Sequence, residues 1–504
     1  MGNIVSTPVN YTAKLKAFPY QMQAFLTVKD LKYAAIFHEQ GLGKTKIAID
    51  LLLYWLQKRD IDTVLIVTKK QLVNNWINEL KTHTFIIPKI LSSNRSDNFY
   101  VFNSKAKIVV TNFETVSSEL ERVEMFLRCR NVGVIIDESA KLKNPAAKLT
   151  KDFFSLSKLF KMRVIMTGTP VANRPYDIWS QIYFLDQGKS LGSDFKTFKA
   201  QTDLPKRNCS DTEGRIEYEK KLNEIFRRIS TFAIRETKKS SGIILPEKEY
   251  KTIYATFEKQ QLVMYSQLIE TLRIEIKKNG DCFIDDDSAV LKRLLRLLQI
   301  TSNPSLINES YSGISGKEIE LKKIINKIVR KKEKCIVWSS FIGNIEKFYK
   351  EFQEFGVCKI HGEMTIEERN HSVYIFKNDP ECRILFATPQ SAKEGLTLTV
   401  ANNVIFYDRG FNLDDYLQAQ DRIHRISQTR TCYIYNLIMQ DSIDIWIDKL
   451  LAAKQYAAFL TQGDISLSDY HTHVDYSYSN MLKEILRVKQ NGEIRRIRRF
   501  HCYR

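Results

Sequence analysis

Apolar runs that alternate with helical stretches are the feature that most restricts the fold of this chain. Between Leu15 and about Leu185 the runs are YAAIF, TVLIVT, KIVVT, VGVIID and RVIMT. Each is apolar almost throughout, which is typical of a strand buried on both faces of a parallel sheet. Parallel strands need crossover connections, and the helical stretches supply them. The pattern therefore predicts an α/β domain.

A second set of runs begins after Gly316 and reads KCIVWSSF, VCKIHG, CRILFAT, NNVIFYD and CYIYNLI. These runs also alternate with helical stretches, so they predict a second α/β domain. The segment between the two sets is charged and mostly helical in pattern. We predict a first lobe at residues 1–187, a helical insertion or linker at 188–309, a second lobe at 310–463 and a basic C-terminal extension at 464–504.

The sequence HEQGLGKT follows the first apolar run and precedes an apolar-rich helical stretch. A glycine-rich turn ending in Lys-Thr leaves backbone N–H groups free for phosphates, adds an ammonium group and offers a hydroxyl to Mg²⁺. The residues that fill these parts are Gly41, Leu42, Gly43, Lys44 and Thr45. His38 stands where the strict pattern GxxxxGK[ST] begins with glycine, so an ordinary turn is an alternative at this point.

Two carboxylates follow the fourth apolar run, in the sequence IIDES. Because VGVIID is typical of a buried parallel strand, Asp137 and Glu138 are predicted to emerge at its carboxyl end, where α/β proteins bind ligands. Phosphoryl transfer needs one carboxylate for Mg²⁺ and another group that orients the attacking water. A solvated loop would also carry such a pair. Together with the glycine-rich turn, however, the pair indicates an ATP site.

The net charge of +19 and the isoelectric point near 9.3 favour a polyanionic partner. Nucleic acid is the first candidate, although an AT-rich coding bias would also enrich lysine. The eight cysteines include no CxxC pair, which argues against a zinc ribbon and favours a reducing compartment. No secretory signal or membrane-length apolar run is visible, and no membrane partner is expected. MGNIVS, with Gly2 and Ser6, also matches the short N-myristoylation pattern.

An ordered series of motifs from about Leu15 to about Lys454 resembles a known family. The series reads FPYQMQAF, HEQGLGKT, LIVTKKQLVNNWINEL, IVVTNFET, IIDESAKLKN, MTGTPVANRPYDIWSQIYFL, FAIRETKKSSGIILPEKE, RLLQITSNPSLI, CIVWSSF, IHGEMTIEER, FATPQSAKEGLTLT and VIFYDRGFNLDDYLQAQDRIHRISQTR. It is similar to the series of superfamily-two helicase-type ATPases and, among them, of the Snf-type double-stranded DNA translocases. The chain departs from that pattern at His38 and Gln40, where the family usually has Asp and Met.

The resemblance implies two tandem RecA-like lobes that bind ATP and Mg²⁺ in the cleft between them. Gln21 is then expected to read the adenine edge, Lys44 to neutralise the β- and γ-phosphates, and Thr45 and Asp137 to hold Mg²⁺. Glu138 is expected to position the attacking water.

From the second lobe the resemblance implies two arginine fingers, Arg422 and Arg425, with Gln418 on the same face near the γ-phosphate. The sequence QAQDRIHRI predicts that both arginines lie on one helix, three residues apart. A salt-bridged helix surface would show the same spacing. Thr167, Gly168 and Thr169 are expected to pass the nucleotide state to the nucleic-acid groove, although an ordinary turn would also use Thr-Gly-Thr.

Backbone contacts to nucleic acid are implied for a further set of polar residues, most of them at predicted strand ends. The set is Lys69, Lys70, Asn112, Asn173, Ser340, His361, Thr388 and Ser391. Such contacts grip phosphate and carry no base sequence information.

The function expected from the sequence is an ATP-dependent translocase on double-stranded DNA. A strand-separating helicase or RNA-directed ATPase of viral type is the first alternative, and a nucleotide-gated DNA-binding subunit of a larger complex is the second. Protein partners would belong to a replication, transcription, repair or defence complex. The expected location is intracellular: the cytoplasm of a bacterium or infected cell, or the nucleus or virion of a viral system.

Overall fold

The computed structural model describes residues 9–58, 61–203, 212–242, 245–279, 288–391, 397–425 and 427–474. The myristoylation pattern at Gly2 and all of the predicted C-terminal extension after residue 474 lie outside these residues.

Thirteen strands are described, and each predicted apolar run contains one of them. Their bounds are β1 (Tyr33–Ile36), β2 (Thr63–Thr68), β3 (Lys89–Ile90), β4 (Ile108–Asn112), β5 (Val132–Asp137), β6 (Met162–Met166), β7 (Ala233–Ile234), β8 (Lys248–Ala255), β9 (Cys335–Trp338), β10 (Val357–Ile360), β11 (Ile384–Ala387), β12 (Asn403–Phe406) and β13 (Cys432–Met439).

The strands form two parallel sheets. The first has seven strands in the order β3-β4-β2-β5-β6-β1-β7, and the second has six in the order β10-β11-β9-β12-β13-β8. All strand pairs described in both sheets are parallel. The predicted α/β class with two lobes is confirmed.

Helices connect the strands and cover the sheets. Their bounds are α1 (Pro19–Val28), α2 (Lys44–Lys58), α3 (Val73–His83), α4 (Arg95–Phe102), α5 (Phe113–Ser118), α6 (Leu120–Cys129), α7 (Lys148–Leu156), α8 (Trp179–Asp186), α9 (Phe195–Thr202), α10 (Thr212–Ile229), α11 (Lys259–Asn279), α12 (Ser288–Ser302), α13 (Gly316–Arg330), α14 (Ile342–Glu351), α15 (Ile366–Asn378), α16 (Leu413–Gln420), α17 (Ile443–Gln462) and α18 (Leu467–His473). In the described part of the chain, none of these helices is both long and apolar enough for a membrane span.

Burial on both faces explains why the strands are apolar throughout. In β2, Val64 and Ile66 pack with Trp55 on one side of the first sheet, whereas Leu65 and Val67 belong to the core on the other side. Successive side chains of a strand point to opposite faces, so a sheet covered twice needs apolar residues at every position.

The segment between the lobes contributes one strand to each sheet. β7 pairs with β1, and β8 pairs with β13 over eight residues. Sequence reasoning predicted a helical segment here and missed both strands. β7 has only two residues, and most of β8 alternates exposed and half-buried side chains, as expected for an edge strand. The proposed boundaries of the segment, residues 188 and 309, stay a prediction.

Helix α17 connects the two lobes through its packing. Trp446 in its first half packs in a cluster with residues of α12, whereas Ala457 and Leu460 near its end belong to a core cluster of the first lobe. Arg235, just after β7, donates to both carboxylate oxygens of Asp464, at 2.7 and 2.6 Å. The structure therefore describes two lobes in direct contact.

Candidate active site

The glycine-rich turn lies between β1 and the first residue of α2, as a phosphate-binding loop requires. Gly41 and Gly43 have φ angles of +88° and +66°, which side chains other than glycine rarely adopt. A Cβ atom on Gly43 would also lie 2.4 Å from Nε2 of Gln21. Both glycines are therefore required by the backbone path of the loop.

Lys44 lies at the start of α2 and points back into the loop. Its Nζ donates to the backbone oxygens of His38 and Glu39, at 2.9 and 3.3 Å. Burial lowers the pKa of Lys44, and the carboxylates of Glu138 and Asp137 act in the opposite direction. The ammonium group and both predicted catalytic carboxylates thus share one pocket.

The Thr-Gly-Thr turn borders the same pocket. A Cβ atom on Gly168 would lie 3.4 Å from Lys44 Nζ, and Thr167 is fully buried. Thr169 donates from Oγ1 to Oδ1 of Asp414 in the second lobe, at 2.8 Å. One short turn therefore lies beside the phosphate loop and contacts the opposite lobe.

Asp137 and Glu138 lie at the carboxyl end of β5, as predicted. Asp137 Oδ2 accepts hydrogen bonds from Trp76 Nε1 at 2.8 Å and from Thr68 Oγ1 at 3.2 Å. Burial and the neighbouring Glu138 carboxylate raise the pKa of Asp137. Glu138 has a left-handed backbone with φ of 57°, which is uncommon outside glycine and frequent at functional sites. Lys69 Nζ lies 3.7 Å from Glu138 Oε2.

The donor set fits Mg²⁺ bound together with a nucleotide. Asp137 offers a carboxylate and Thr45 a hydroxyl, and hard oxygen ligands of this kind suit Mg²⁺. Mg²⁺ in nucleotide sites is commonly held by one or two protein oxygens in addition to the phosphates. Among the described residues, no group of three or more His, Cys, Asp and Glu side chains is arranged to hold a metal ion.

Gln21 is buried against the phosphate loop. Its Oε1 accepts the backbone N–H of Phe18 at 3.0 Å, and its Nε2 donates to the Leu42 oxygen at 3.2 Å. Tyr20 donates its hydroxyl to the same oxygen at 3.0 Å. The structure thus ties α1 to the loop, while the contact of Gln21 with adenine stays a prediction.

The two arginines do not lie on a helix, so that detail of the sequence prediction is wrong. α16 ends at Gln420, and Arg422 follows in a tight turn in which its N–H donates to the Ala419 oxygen at 3.4 Å. The chain leaves the helical path here, and the Arg422 oxygen accepts the N–H of Leu398, at 2.9 Å.

Both arginines nevertheless face the first lobe. A Cβ atom on Gly41 would lie 3.8 Å from Cγ of Arg425, which places the Arg425 side chain against the phosphate loop. Burial and the charge of Arg425 lower the pKa of Arg422 to about 10, and the Glu138 carboxylate partly offsets this. Arg422 and Arg425 are therefore both within electrostatic reach of Glu138.

Gln418 belongs to the same interlobe network. Its Nε2 donates to Asp414 Oδ1 at 2.7 Å, which is the atom that also accepts from Thr169. Asn173 makes two further interlobe bonds: it donates to Asn412 Oδ1 at 2.8 Å and accepts the Leu413 N–H at 2.9 Å.

The residues predicted to contact nucleic acid lie mostly at the carboxyl ends of strands. Lys69 follows β2, Asn112 ends β4, Ser340 lies two residues after β9, and His361 and Thr388 follow β10 and β11. Their positions agree with a row of polar groups along one edge of each sheet.

Several of these side chains already have partners within the protein. Asn112 caps α5 by accepting the Thr115 N–H at 2.9 Å, and His361 Nε2 lies 2.8 Å from Glu346 Oε1. Ser391 donates to the Ile360 oxygen at 3.1 Å.

The remaining three members of the set differ in their surroundings. Ser340 donates its N–H to Asp408, Thr388 and Ser391 bond each other through their hydroxyls, and Lys70 begins a 3₁₀ turn after β2. Contact with nucleic acid stays a prediction for all eight residues.

Lys238 is a site residue that sequence reasoning missed. Its Nζ donates to Asp421 Oδ1 at 3.0 Å and lies 3.5 Å from Glu39 Oε1 in the phosphate loop. It belongs to a Lys-Lys pair within a predicted linker, and such pairs are usually solvated. The family motif FAIRETKKSSGIILPEKE, which contains this lysine, was the signal that could have drawn attention to it.

Comparison with known proteins places these motifs in two family models. The model described as SNF2-related domain matches residues 30–306, more than half of the chain, and the helicase conserved C-terminal domain matches residues 316–427. Among curated relatives, YwqA of Bacillus subtilis is 28% identical over 461 residues, covering 87% of this chain and 48% of YwqA. The ATP-dependent DNA helicase DDM1 of Arabidopsis thaliana is 25% identical over 450 residues, covering 82% of this chain and 57% of DDM1.

The chain spans about half the length of the curated relatives it matches. Among solved structures, the Sulfolobus solfataricus SWI2/SNF2 ATPase core in complex with dsDNA is 25% identical. That match covers 92% of this chain and 98% of the Sulfolobus chain, with a TM-score of 0.42.

Proposed function

We propose that this chain, which belongs to the SNF2-related family, hydrolyses ATP between its lobes and uses the energy to move along double-stranded DNA. The observation that carries the proposal is the approach of Arg425 to Gly41. The Arg425 side chain of the second lobe lies against the phosphate loop of the first, and its guanidinium is held beside the loop by the Asp421 oxygen and Thr397 Oγ1. A site split in this way is complete only when the lobes are together.

Each candidate site residue of the first lobe has a distinct task in this proposal. The backbone of the loop and Lys44 bind the phosphates, and Thr45 and Asp137 hold the metal. Mg²⁺ supplies charge neutralisation on the phosphate oxygens when it is bound. Glu138 orients the attacking water, and its position beside Asp137 and within electrostatic reach of Lys44 suits this task.

Residues of the second lobe stabilise charge that develops during the reaction. Arginine fingers act by placing a guanidinium group on the transferring phosphoryl group. Arg422 is buried and Arg425 is half-buried, and both lie within electrostatic reach of Glu138, which supports this task. The Thr169–Asp414 bond gives a direct route by which a change at the nucleotide alters the position of the second lobe.

Three observations support double-stranded DNA as the proposed track. The net charge of +19 favours a polyanion, and polar side chains at the strand ends suit contacts with phosphate that do not depend on base sequence. DDM1, a relative of this chain, is by name an ATP-dependent DNA helicase.

The deciding experiment compares ATP hydrolysis in the presence of duplex DNA, single-stranded DNA and RNA. We expect duplex DNA to stimulate most, and we expect ATP-dependent displacement of a third strand from a DNA triplex. Greater stimulation by single strands or RNA would instead indicate a strand-separating or RNA-directed enzyme. Binding of DNA without turnover would indicate a nucleotide-gated subunit. Glu138→Gln is the control, because it should abolish hydrolysis and leave ATP binding intact.

A further inference from the structure

Lys238 lies on the chain segment that passes from one sheet to the other. It follows β7 of the first sheet and precedes β8 of the second. Its side chain is only 10% exposed, which is low for a lysine. A lysine so placed needs polar partners for its buried charge, and they come from both lobes.

The first set of partners belongs to the phosphate loop. The Lys238 backbone N–H donates to Glu39 Oε2 at 2.8 Å, and Nζ lies 3.5 Å from Glu39 Oε1. A Cβ atom on Gly41 would lie 3.9 Å from Cε of Lys238. The lysine therefore lies along the loop that is proposed to bind phosphates.

The second set belongs to the turn that carries the arginines. Lys238 Nζ donates to Asp421 Oδ1 at 3.0 Å and to the His424 oxygen at 3.2 Å. Lys248 Nζ lies 3.0 Å from the same Asp421 oxygen. Burial alone would raise the pKa of Asp421, but Lys248 and Lys238 hold it below its usual range.

Asp421 in turn supports Arg425. The Arg425 Nε donates to the backbone oxygen of Asp421 at 3.1 Å, and its side chain reaches the loop beside Gly41. Lys238 thus connects Glu39 in the phosphate loop with Asp421, the residue that supports Arg425.

We propose that Lys238 is a positioning residue that holds the arginine-bearing turn of the second lobe against the phosphate loop of the first. The inference rests on the proposed function, since it assigns to Lys238 control over the rate of that hydrolysis. Lys238 Nζ already has two acceptors on the arginine-bearing turn, so we expect its removal to affect the position of that turn, and hence kcat, more than ATP affinity. Misplacement of a reacting group by about 1 Å can reduce a rate by about 10²-fold, which sets the expected scale.

The test compares Lys238→Met, Lys238→Arg and the neighbouring Lys239→Met, because Lys239 is exposed and has the same charge. For Lys238→Met we expect kcat with duplex DNA to fall by about 10²-fold. The dissociation constant of a fluorescent ATP analogue should change by less than about threefold. This limit corresponds to about 0.7 kcal/mol of binding free energy. Lys238→Arg should recover most of kcat because it keeps the charge, and Lys239→Met should resemble the unmodified chain.

Either of two results with Lys238→Met overturns the inference. A kcat for Lys238→Met equal to that of Lys239→Met means that the contact has no role in hydrolysis. A loss of ATP affinity as large as the loss of kcat means that Lys238 binds nucleotide directly. If Lys238→Met does not fold, Glu39→Gln tests the same bridge from its more exposed end, and an unchanged kcat there overturns the inference.

Small-angle X-ray scattering separates this inference from the proposed function. Without Lys238 the lobes should spend more time apart, so Lys238→Met should have a larger radius of gyration than Lys239→Met. If the unmodified chain hydrolyses no ATP, the proposed function fails, while the scattering comparison still decides whether Lys238 holds the lobes together. Identical scattering curves for the two variants overturn that role.

Discussion

Each lobe has a parallel sheet, but the two lobes differ in the length of one connection between a strand and the helix that follows it. In the first lobe, residues 37–43 separate β1 from α2, whereas in the second lobe only residues 339–341 separate β9 from α14. A phosphate cradle needs several consecutive backbone N–H groups around one concave turn, and the shorter connection has too few residues to form it. We therefore propose that the same fold binds phosphate in one lobe and supplies side chains to the phosphates from the other.

The carboxylates at the strand ends differ in a similar way. The hydrogen bonds described for Asp137 at the end of β5 both fall on Oδ2. Asp408, two residues after β12, uses both of its oxygens for protein donors, which are Ser339 Oγ at 2.5 Å, Ser340 N at 2.7 Å, Ser302 Oγ at 2.9 Å and Asn344 Nδ2 at 3.3 Å. A carboxylate at the end of a strand can thus be available to a ligand or can stabilise the fold. Which of the two it does depends on how many of its lone pairs accept hydrogen bonds from the protein.

The substitution with the largest expected effect tests whether Arg425 of the second lobe takes part in ATP hydrolysis. Arg425→Ala should lower kcat by about 10³-fold or more while ATP still binds, because a finger acts on charge in the transition state. Arg430→Ala is the matched control, since Arg430 is exposed and donates to the Val400 oxygen away from the loop. Steady-state hydrolysis and ATP titration provide the measurement. Equal losses in the two variants would contradict the assignment of Arg425.

A second pair of variants tests the contrast between the two carboxylates. Asp137→Asn should slow hydrolysis by about 10²-fold or more with little change in stability, because it removes a metal ligand. Asp408→Asn should lower the free energy of unfolding by about 2 kcal/mol, because it weakens a buried network of hydrogen bonds. Urea denaturation and kcat measured on both proteins check the prediction. A catalytic defect confined to Asp408→Asn would reverse the contrast.

The stability of the fold should decrease in acid, and one buried histidine in each lobe should contribute to this decrease. Burial and Lys44 lower the pKa of His38 to about 3, and burial and Lys248 lower that of His424 to about 4. The unfolded chain protonates these histidines below about pH 6.5 and the folded chain does not, so stability falls as the pH drops through 6.5. From pH 7 to pH 5 each histidine should cost about 2 kcal/mol.

His38→Gln should remove the part of the stability loss between pH 7 and pH 5 that comes from His38. Urea denaturation at the two pH values can measure this change. His371→Gln is the control because His371 is exposed on α15. If the two variants show the same dependence on pH, the acid sensitivity has another origin.

The smallest effect concerns the amide contact between the lobes. Asn173→Ala removes two neutral hydrogen bonds to the second lobe, together worth about 1 kcal/mol. We expect kcat/KM for ATP to fall by about fivefold. Asn378→Ala, which loses only a bond within α15, should leave kcat/KM unchanged. An unaffected Asn173→Ala would show that this contact does not help to bring the lobes together.

The central strands and the family could be predicted from the sequence. Runs such as TVLIVT predict the bounds of their strands with little error, because burial on two faces favours apolar residues along the whole strand. The resemblance to Snf-type ATPases is confirmed by the family models. The sequence also indicated the loop and the carboxylates, because strand ends and helix starts place them at one edge of a sheet.

Features that depend on contacts between distant parts of the sequence, or on the position of a strand at the sheet edge, could not be predicted. The turn that carries Arg422 stands where a helix was predicted, and its Arg422 oxygen accepts the N–H of Leu398, which is distant in sequence. The edge strand β8 lacks an apolar pattern because half of it faces solvent. Lys238 looks like any surface lysine until Glu39 and Asp421 are brought to it.

Helix α17 has a mechanical consequence for any motion of the molecule. Trp446 and Leu460 are anchored in different cores, so the helix works as a rigid rod with one end embedded in each half. Pulling the halves straight apart would expose apolar surface at one end of the rod, at about 25 cal/mol for each Å² uncovered. Separation of the two halves is therefore costly, and a protease cut near residue 240 should leave two fragments that still migrate as one particle.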